Sequence, residues 1–434
     1  MPDSQKKKAT QNEAQLDYLQ QQAFAYFLEQ GNDLGLVADT SRSWSPCSIA
    51  VVGFALSSYP VGVSRGWMRR QEAVDRTLLT LRFFASSPQG PEELTSGYKG
   101  FYYHFLDMKT GKRTWNCELS LIDTALLLAG ILTTAAFFDS ENADEAEIRN
   151  LADFIYARMD WEWARGGMPT ISQGWLPGSG FLHYGWEGYS EAIILYALAL
   201  GAPTMPLSKE IYKNWRDTYQ WENIYGLDYL YAGPLFIHLF SHAWIDFRGI
   251  RDSFFDEKNS DYFQNTQAAI AVQREYARRN PKGFKGYACD LWGFTACDGP
   301  DGMPQRVERR EQYFFGYAAR GVPYGPDDGT IAPWASLAAM PFAPEAAMSC
   351  LTQTLATYPG LLKDGRFPNA YNPTRAGGSG PEGWVADYQS GLDQGLIVLM
   401  IENYRTGMIW DLMKKSAPLR AGLKNGGFGK GWLS

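Results

Sequence analysis

An all-α fold, an (α/α)6 toroid of six inner and six outer helices, is predicted by three observations. Some helical segments carry almost no charge, amphipathic segments alternate with them, and the loops between them fall into two length classes. The nearly uncharged segments, built from small and aliphatic residues, are 48–57, 118–132, 190–200, 235–245, 331–340 and 391–404. Helices apolar all round are buried. The segments with charge on one face are 13–30, 71–85, 144–160, 207–218, 261–279 and 344–358. The two kinds alternate along the chain, outer then inner, six times. With the buried helices as an inner ring, each hairpin covers its apolar face by packing on its neighbours. Alternating strand runs are absent, which argues against an α/β barrel. The expected organisation is a flexible stretch over 1–12 and a single domain over 13–434.

The connections entering the inner helices are long: 31–47, 86–117, 161–189, 219–234, 280–330 and 359–390. Those leaving them are mostly short, as at 201–206 and 341–343. The long set holds nine of the 15 Trp: Trp44, Trp115, Trp161, Trp163, Trp175, Trp186, Trp221, Trp292 and Trp384. Long loops gathered on one face of a rigid scaffold are where binding sites are built. The inner-helix N-termini open on that face, so the site is expected there.

Composition narrows the class. The chain has 434 residues, 45% apolar and 20% charged, enough for a large core. A net charge of −7 gives no footprint for nucleic acid or an anionic membrane. Aromatics reach 15%, an excess suited either to a Trp-rich core or to stacking on sugar rings. Five scattered cysteines without a C-x-x-C form neither a disulfide framework nor a zinc site. No segment approaches ~18 uncharged apolar residues, so none is expected to span a membrane. The start as written shows no signal peptide. It predicts a soluble cytoplasmic protein, or a periplasmic or secreted one if a signal was removed ahead of residue 1.

Three inner segments carry an acid within their first turns: Glu118 and Asp123 on the second, Glu191 on the third and Asp393 on the sixth. An ionised acid inside a buried ring is costly unless it is paired or functional. Each also has a structural reading. In that reading Glu118 or Glu191 is a first-turn acid favoured by the helix dipole, and Asp393 is an N-terminal cap. Ser120, Asp123 and Thr124 share one helix face, whereas Glu118 lies well round from Asp123. Carboxylates on opposite walls of a Trp-lined cleft suit glycoside hydrolysis, in which one acid protonates the leaving oxygen and another activates water or attacks the sugar. Glu191 poses a difficulty as the proton donor, because a helix N-terminus lowers a carboxyl pKa. Desolvation by Trp186, Tyr189 and bound sugar would have to outweigh that effect.

Competing motifs are weaker. Gly62-Val-Ser-Arg-Gly66 fits G-x-S-x-G but follows a helix rather than a strand. His238 and His242 are four apart, without the Glu of H-E-x-x-H, and are expected in the core or against substrate. The stretches 298–302 and 327–329 are rich in oxygen but match no calcium loop, and read as turns.

Several strings carry a family resemblance across nearly the whole chain. They include GYKGFYYHFLDMKTGKRTWNCELSLIDTALLLAG (97–130), GWEGYSEAIILYALALG (185–201), DLWGFTACDGPDG (290–302), DDGTIAPWASLAAMPFAPE (327–345) and LDQGLIVLMIENYRTGMIWDL (392–412). They resemble the glucoamylase-like proteins grouped around glycoside hydrolase family 144, whose (α/α)6 members act on β-1,2-glucan. The glucoamylase-like domain of cyclic β-1,2-glucan synthases is similar. The resemblance implies that Glu191 and Asp393 are the acid and base and that Asp123 lines the cleft. Where the family pattern has Asn ahead of the Glu, this chain has Ser190.

The function expected is hydrolysis of β-1,2-glucan, endo-acting and inverting, to short sophoro-oligosaccharides. Glu118, Trp115, His183, Trp186, Tyr189, Trp292 and Trp334 are the expected substrate contacts. No metal or other cofactor, no nucleic acid and no membrane is expected, and the sequence carries no signal for oligomeric state. An exo-acting hydrolase and a retaining transglycosylase are the alternatives within the class. A polysaccharide lyase would need uronic acids, which an acid-lined site repels, and a glycan-binding protein would release no product.

Overall fold

A computed structural model describes residues 3–302, 304–307, 310–376 and 380–434, with side chains from residue 12 onward, that of residue 310 apart. The described chain is mostly helical. Its helices are α1 (Asp3–Glu29), α2 (Ile49–Ser64), α3 (Arg70–Ser86), α4 (Leu121–Phe137), α5 (Ala143–Ala157), α6 (Ile193–Leu200) and α7 (Lys209–Arg216). There follow α8 (Ser253–Glu257), α9 (Tyr262–Arg279), α10 (Pro333–Ala338), α11 (Pro344–Thr357), α12 (Gly391–Arg405), α13 (Met408–Lys414) and α14 (Ala417–Asn425). The expected flexible stretch 1–12 falls partly outside the described residues; from Asp3 onward the backbone is helical.

The chain divides into two compact units, each assembled from three chain segments. The first comprises Met1–Tyr26, Trp221–Phe240 and Gln264–Arg405. Its N-terminal helix is tied to its last one: Gln20 Nε2 donates to Val398 O at 2.9 Å, and Arg405 reaches Asp17 at 3.1 Å. The second comprises Phe27–Gln220, Ser241–Phe263 and Thr406–Ser434.

In the second unit, α2 and α4 are buried on every face over 49–62 and 121–134, as expected of segments that are apolar almost throughout. Each fully buried Leu or Ile there contributes about 1.5–3 kcal/mol. The two helices cross almost backbone to backbone. A Cβ on Gly53 would stand 2.3 Å from Leu126 O, so only glycine fits that crossing. All eight residues of α6 are buried as well.

Two departures bear on the site. The expected inner helix over 235–245 is replaced by two 3₁₀ turns, Leu235–His238 and Ser241–Ala243. Side chains take the carbonyls that a helix would use: Thr266 Oγ1 donates to His238 O at 3.0 Å, and Trp410 Nε1 to His242 O at 2.7 Å. His238 and His242 are both buried, as core histidines. The second departure is a five-stranded antiparallel sheet in the second unit, made of Gly97–Tyr98, Phe101–Tyr103, Leu119–Ser120, Gly174–Leu176 and Gly180–Phe181. Strands of two or three residues are too short to leave a period in the sequence.

Candidate active site

In the second unit the short sheet fixes the first group of functional side chains. Tyr103 pairs with Leu119 across the ladder, and His104 N donates to Glu118 O at 3.0 Å. That register sets His104 beside Glu118. Its Nδ1 lies 2.9 Å from Glu118 Oε1 and its Nε2 3.5 Å from Asp123 Oδ2, while its ring stacks on Phe105 at 3.9 Å. Glu118 and Asp123, expected well apart round one helix, are thus brought together by an imidazole. Glu118 is not on a helix at all; the strand Leu119–Ser120 precedes α4.

Asp123 is held by the start of α4. Ser120 caps the helix, accepting from Asp123 N at 3.2 Å and donating to Asp123 Oδ2 at 2.5 Å. Thr124 Oγ1 donates to Ser120 O at 2.6 Å and accepts from Tyr102 N at 3.1 Å, which locks the helix start to the sheet.

The electrostatics follow from this geometry. Burial opposes charge on His104, but Asp123, Glu118 and Asp39 together outweigh it and raise its pKa to about 9. Burial would raise Glu118, yet the bond and charge from His104 hold its carboxyl below the usual range. Asp39, in the loop ahead of α2, is pushed up to about 6, chiefly by burial, with His104 pulling it down and Asp123 pushing it up. His104, Glu118 and Asp123 offer ligand atoms within 4.8 Å of one another, the spacing of a cation site. With both ring nitrogens facing carboxylates, His104 pairs with Glu118 and Asp123 as an imidazolium, and a cation would compete with its proton for the same nitrogen.

Glu191 sits in the turn two residues ahead of α6, outside the first helical turn. Ser241 serves the helix end instead: its Oγ accepts from Ile194 N at 3.1 Å and donates to Glu191 O at 2.6 Å. The Glu191 carboxyl keeps some solvent contact but lies in a recess crowded by protein. That burial pushes its pKa up to about 7; its own backbone N–H lowers it and the Asp123 charge raises it further. The expected conflict with the helix dipole is thus resolved by position and desolvation.

The other expected contacts divide. In the second unit His183 is exposed, Trp186 half-buried and Tyr189 buried, with Tyr189 packed 5.9 Å from the rings of Tyr219 and Tyr262. Trp115 stands out of the surface, 55% exposed. In the first unit Trp292 and Trp334 are core residues, and this corrects the expectation that they touch substrate. Both indoles are packed on all sides, so neither presents a face to a sugar. His104 and Asp39 were missed by sequence reasoning. The signal for His104 was its place in the YYHF string opposite the ELS string, had the strand pairing been seen.

Asp393 belongs to the first unit. It lies buried in the first turn of α12 and accepts a hydrogen bond from Asn369 Nδ2 at 2.9 Å. Asn369 Oδ1 in turn accepts from Asp298 N at 2.8 Å. The loop holding Asp298 is braced by a fully buried pair, Arg320 and Asp328, joined at 2.8 and 2.9 Å. Arg320 also bonds the carbonyls of Cys297 and Phe315. The oxygen-rich strings 298–302 and 327–329 lie in loops.

The fold and these clusters define a class: a helical protein with acids at the starts of buried helices and long aromatic-rich loops leading to them. A family model described as putative glucoamylase matches residues 183–417, more than half of the chain. The chain belongs to that family. It is 26% identical over 449 residues to an exo β-1,2-glucooligosaccharide sophorohydrolase (non-reducing end) of Parabacteroides distasonis. The match covers 95% of this chain, which spans 58% of that relative's length. Among solved structures, an endo-β-1,2-glucanase from Chitinophaga pinensis, in complex with sophorotriose and glucose, is similar with a TM-score of 0.84 and 25% identity over 97% of this chain and 99% of that one. A putative glucoamylase from Bacteroides uniformis matches with a TM-score of 0.84 and 28% identity over 98% and 99% of the two chains. No described helix is long and apolar enough to cross a membrane.

Proposed function

We propose that the chain is a glycoside hydrolase that cleaves β-1,2-linked glucan on an (α/α)6 toroid, with Glu191 as proton donor and Asp393 as base. The observation that carries this reading is the Glu191 carboxyl. Buried and beside the Asp123 charge, it keeps its proton up to about pH 7, as a general acid working near neutrality must. It gives that proton to the glycosidic oxygen as the bond to the anomeric carbon breaks. Water attacks that carbon, and the base accepts the proton that water loses. Asp123, held 3.5 Å from His104 Nε2, is the carboxyl that would favour the positive charge developing on the sugar. The substrate class rests on the relatives, two of which are named for β-1,2-linked glucose chains. The chemistry uses carboxylates alone, so a chelator is expected to leave the rate unchanged.

Endo action with inversion is the reading we favour. The exo reading has one observation behind it, the name of the Parabacteroides relative. NMR of products freshly released from linear β-1,2-glucan tests both. The α-anomer before mutarotation, with a spread of short sophoro-oligosaccharides, is expected. Sophorose alone would favour exo action, the β-anomer would favour retention, and cleavage of starch without cleavage of β-1,2-glucan would overturn the substrate.

A further inference from the structure

In the second unit, the loops ahead of α2 and ahead of the Leu119–Ser120 strand raise two indoles into solvent. Trp44 is 64% exposed and Trp115 55%, and their ring centroids lie 6.0 Å apart with the planes at 51°. Two indoles left this exposed forgo the burial that apolar surface favours, so the adjacent pair marks a surface kept for a partner. Trp115 is also displayed at a cost. Trp115 and Asn116 both hold left-handed backbone, with φ of 55° and 50°, a conformation uncommon for residues other than glycine.

The pair is continuous with the charged cluster. Trp115 packs on Phe105 at 5.2 Å, Phe105 stacks on His104 at 3.9 Å, and His104 faces Asp123 at 3.5 Å. At the outer end the Arg42 guanidinium lies over the Trp44 ring, 5.4 Å from its centroid, a donor-rich group stacked beside the exposed indole. We propose that Trp44 and Trp115 form a distal glucosyl-binding platform, which holds β-1,2-linked glucan outside the reacting cluster. This rests on the hydrolase reading for its ligand.

The chemistry selects a sugar chain. The C–H face of a glucosyl ring lies on an indole, and its hydroxyl rim meets the Arg42 donors. Coplanar indoles would suit a flat ribbon. Two planes tilted by 51° suit a chain whose successive rings turn, as a linkage through adjacent ring carbons requires. A platform away from the cleavage point strengthens binding of long chains more than short ones.

The test uses Trp44→Ala and Trp115→Ala, with long linear β-1,2-glucan and the shortest sophoro-oligosaccharide cleaved. In wild type the long chain should have the lower KM and quench tryptophan fluorescence on titration. In each variant the ratio of short-chain to long-chain KM should fall by about fivefold, and the quench should shrink. Trp44 has ordinary backbone angles, so Trp44→Ala carries the test should Trp115→Ala fail to fold. A KM ratio within twofold of wild type in folded Trp44→Ala, or quenching by β-1,3-glucan but not by β-1,2-glucan, would overturn the platform. If wild type binds β-1,2-glucan with a quench lost in the variants yet hydrolyses none, the platform stands and the hydrolase reading falls.

Discussion

His104 stands between two carboxylates, with Nδ1 2.9 Å from Glu118 Oε1 and Nε2 3.5 Å from Asp123 Oδ2. One residue just past the strand Phe101–Tyr103 thereby ties an acid that precedes a strand to an acid in the first turn of α4. Burial first, and Asp123 after it, raise the Glu191 pKa and help it hold its proton.

The bridge makes stability depend on pH. The folded-state pKa of His104, about 9, lies above the ordinary value of 6.5. Its contribution is therefore complete below pH 6.5 and is lost as pH rises through about 9. At pH 6 we expect His104→Gln to cost about 1–3 kcal/mol in denaturant unfolding, and the gap to wild type should narrow above pH 9. A gap constant from pH 6 to 10 would mean that the imidazolium carries no charge-dependent stability.

Asp123→Asn should move the pH profile. Its charge is one of the influences raising Glu191 from 4.5 to about 7. Neutralising it lets Glu191 lose its proton earlier, so the alkaline limb of kcat/KM should shift to lower pH by about 0.5–1 unit. A limb that stays in place would exclude Glu191 as the titrating donor.

The sequence was most legible where one physical cause decides the structure. The helices α2, α4 and α12 are uncharged over long runs, and no other environment suits them. Glu191 and Asp393 stood out because acids open otherwise apolar segments. The stretch 235–245 looked the same, but distant Thr266 and Trp410 take its carbonyls, and no local pattern records that. The His104 bridge depends on pairing Phe101–Tyr103 with Leu119–Ser120, a contact between strands too short to show alternation. Trp292 and Trp334 misled because an indole in a loop or a small helix has the same composition whether its ring is wet or packed.

Glu191→Gln and Asp393→Asn separate chemistry from stability. Each should lower turnover by about 10²–10⁴-fold. The folded state raises the Glu191 pKa, so it favours the neutral carboxyl, and the native protein loses stability as pH climbs from about 4.5 through 7. Gln removes that penalty. The thermal midpoint of Glu191→Gln should match wild type near pH 4 and exceed it at pH 8. In Asp393→Asn the new amide oxygen can still accept from Asn369 Nδ2, so the midpoint should hardly move. Near-normal turnover in either variant would remove that residue from the pair and make Asp123 the next candidate.

The position of α6, and with it the turn that carries Glu191, depends on a glycine at the far end of the chain. Gly422 of α14 lies so close to α6 that a Cβ there would stand 1.7 Å from Ala197 O. Gly201, just past α6, meets Pro418 O in the same way at 2.0 Å, and Asn425 Nδ2 donates to Leu200 O at 2.9 Å. The two helices therefore touch backbone to backbone, and no side-chain rotamer can relieve an added methyl. Gly422→Ala should cost about 2–4 kcal/mol and should lower kcat as well, because α6 must move and Glu191 lies two residues ahead of it. Gly429→Ala is the control: nothing lies within 4 Å of a Cβ there, so stability should stay within about 0.5 kcal/mol. Equal midpoints for the two variants in thermal unfolding would show that α14 does not fix α6. A destabilised Gly422→Ala with unchanged kcat would show instead that the turn at Glu191 is held by Ser241 alone.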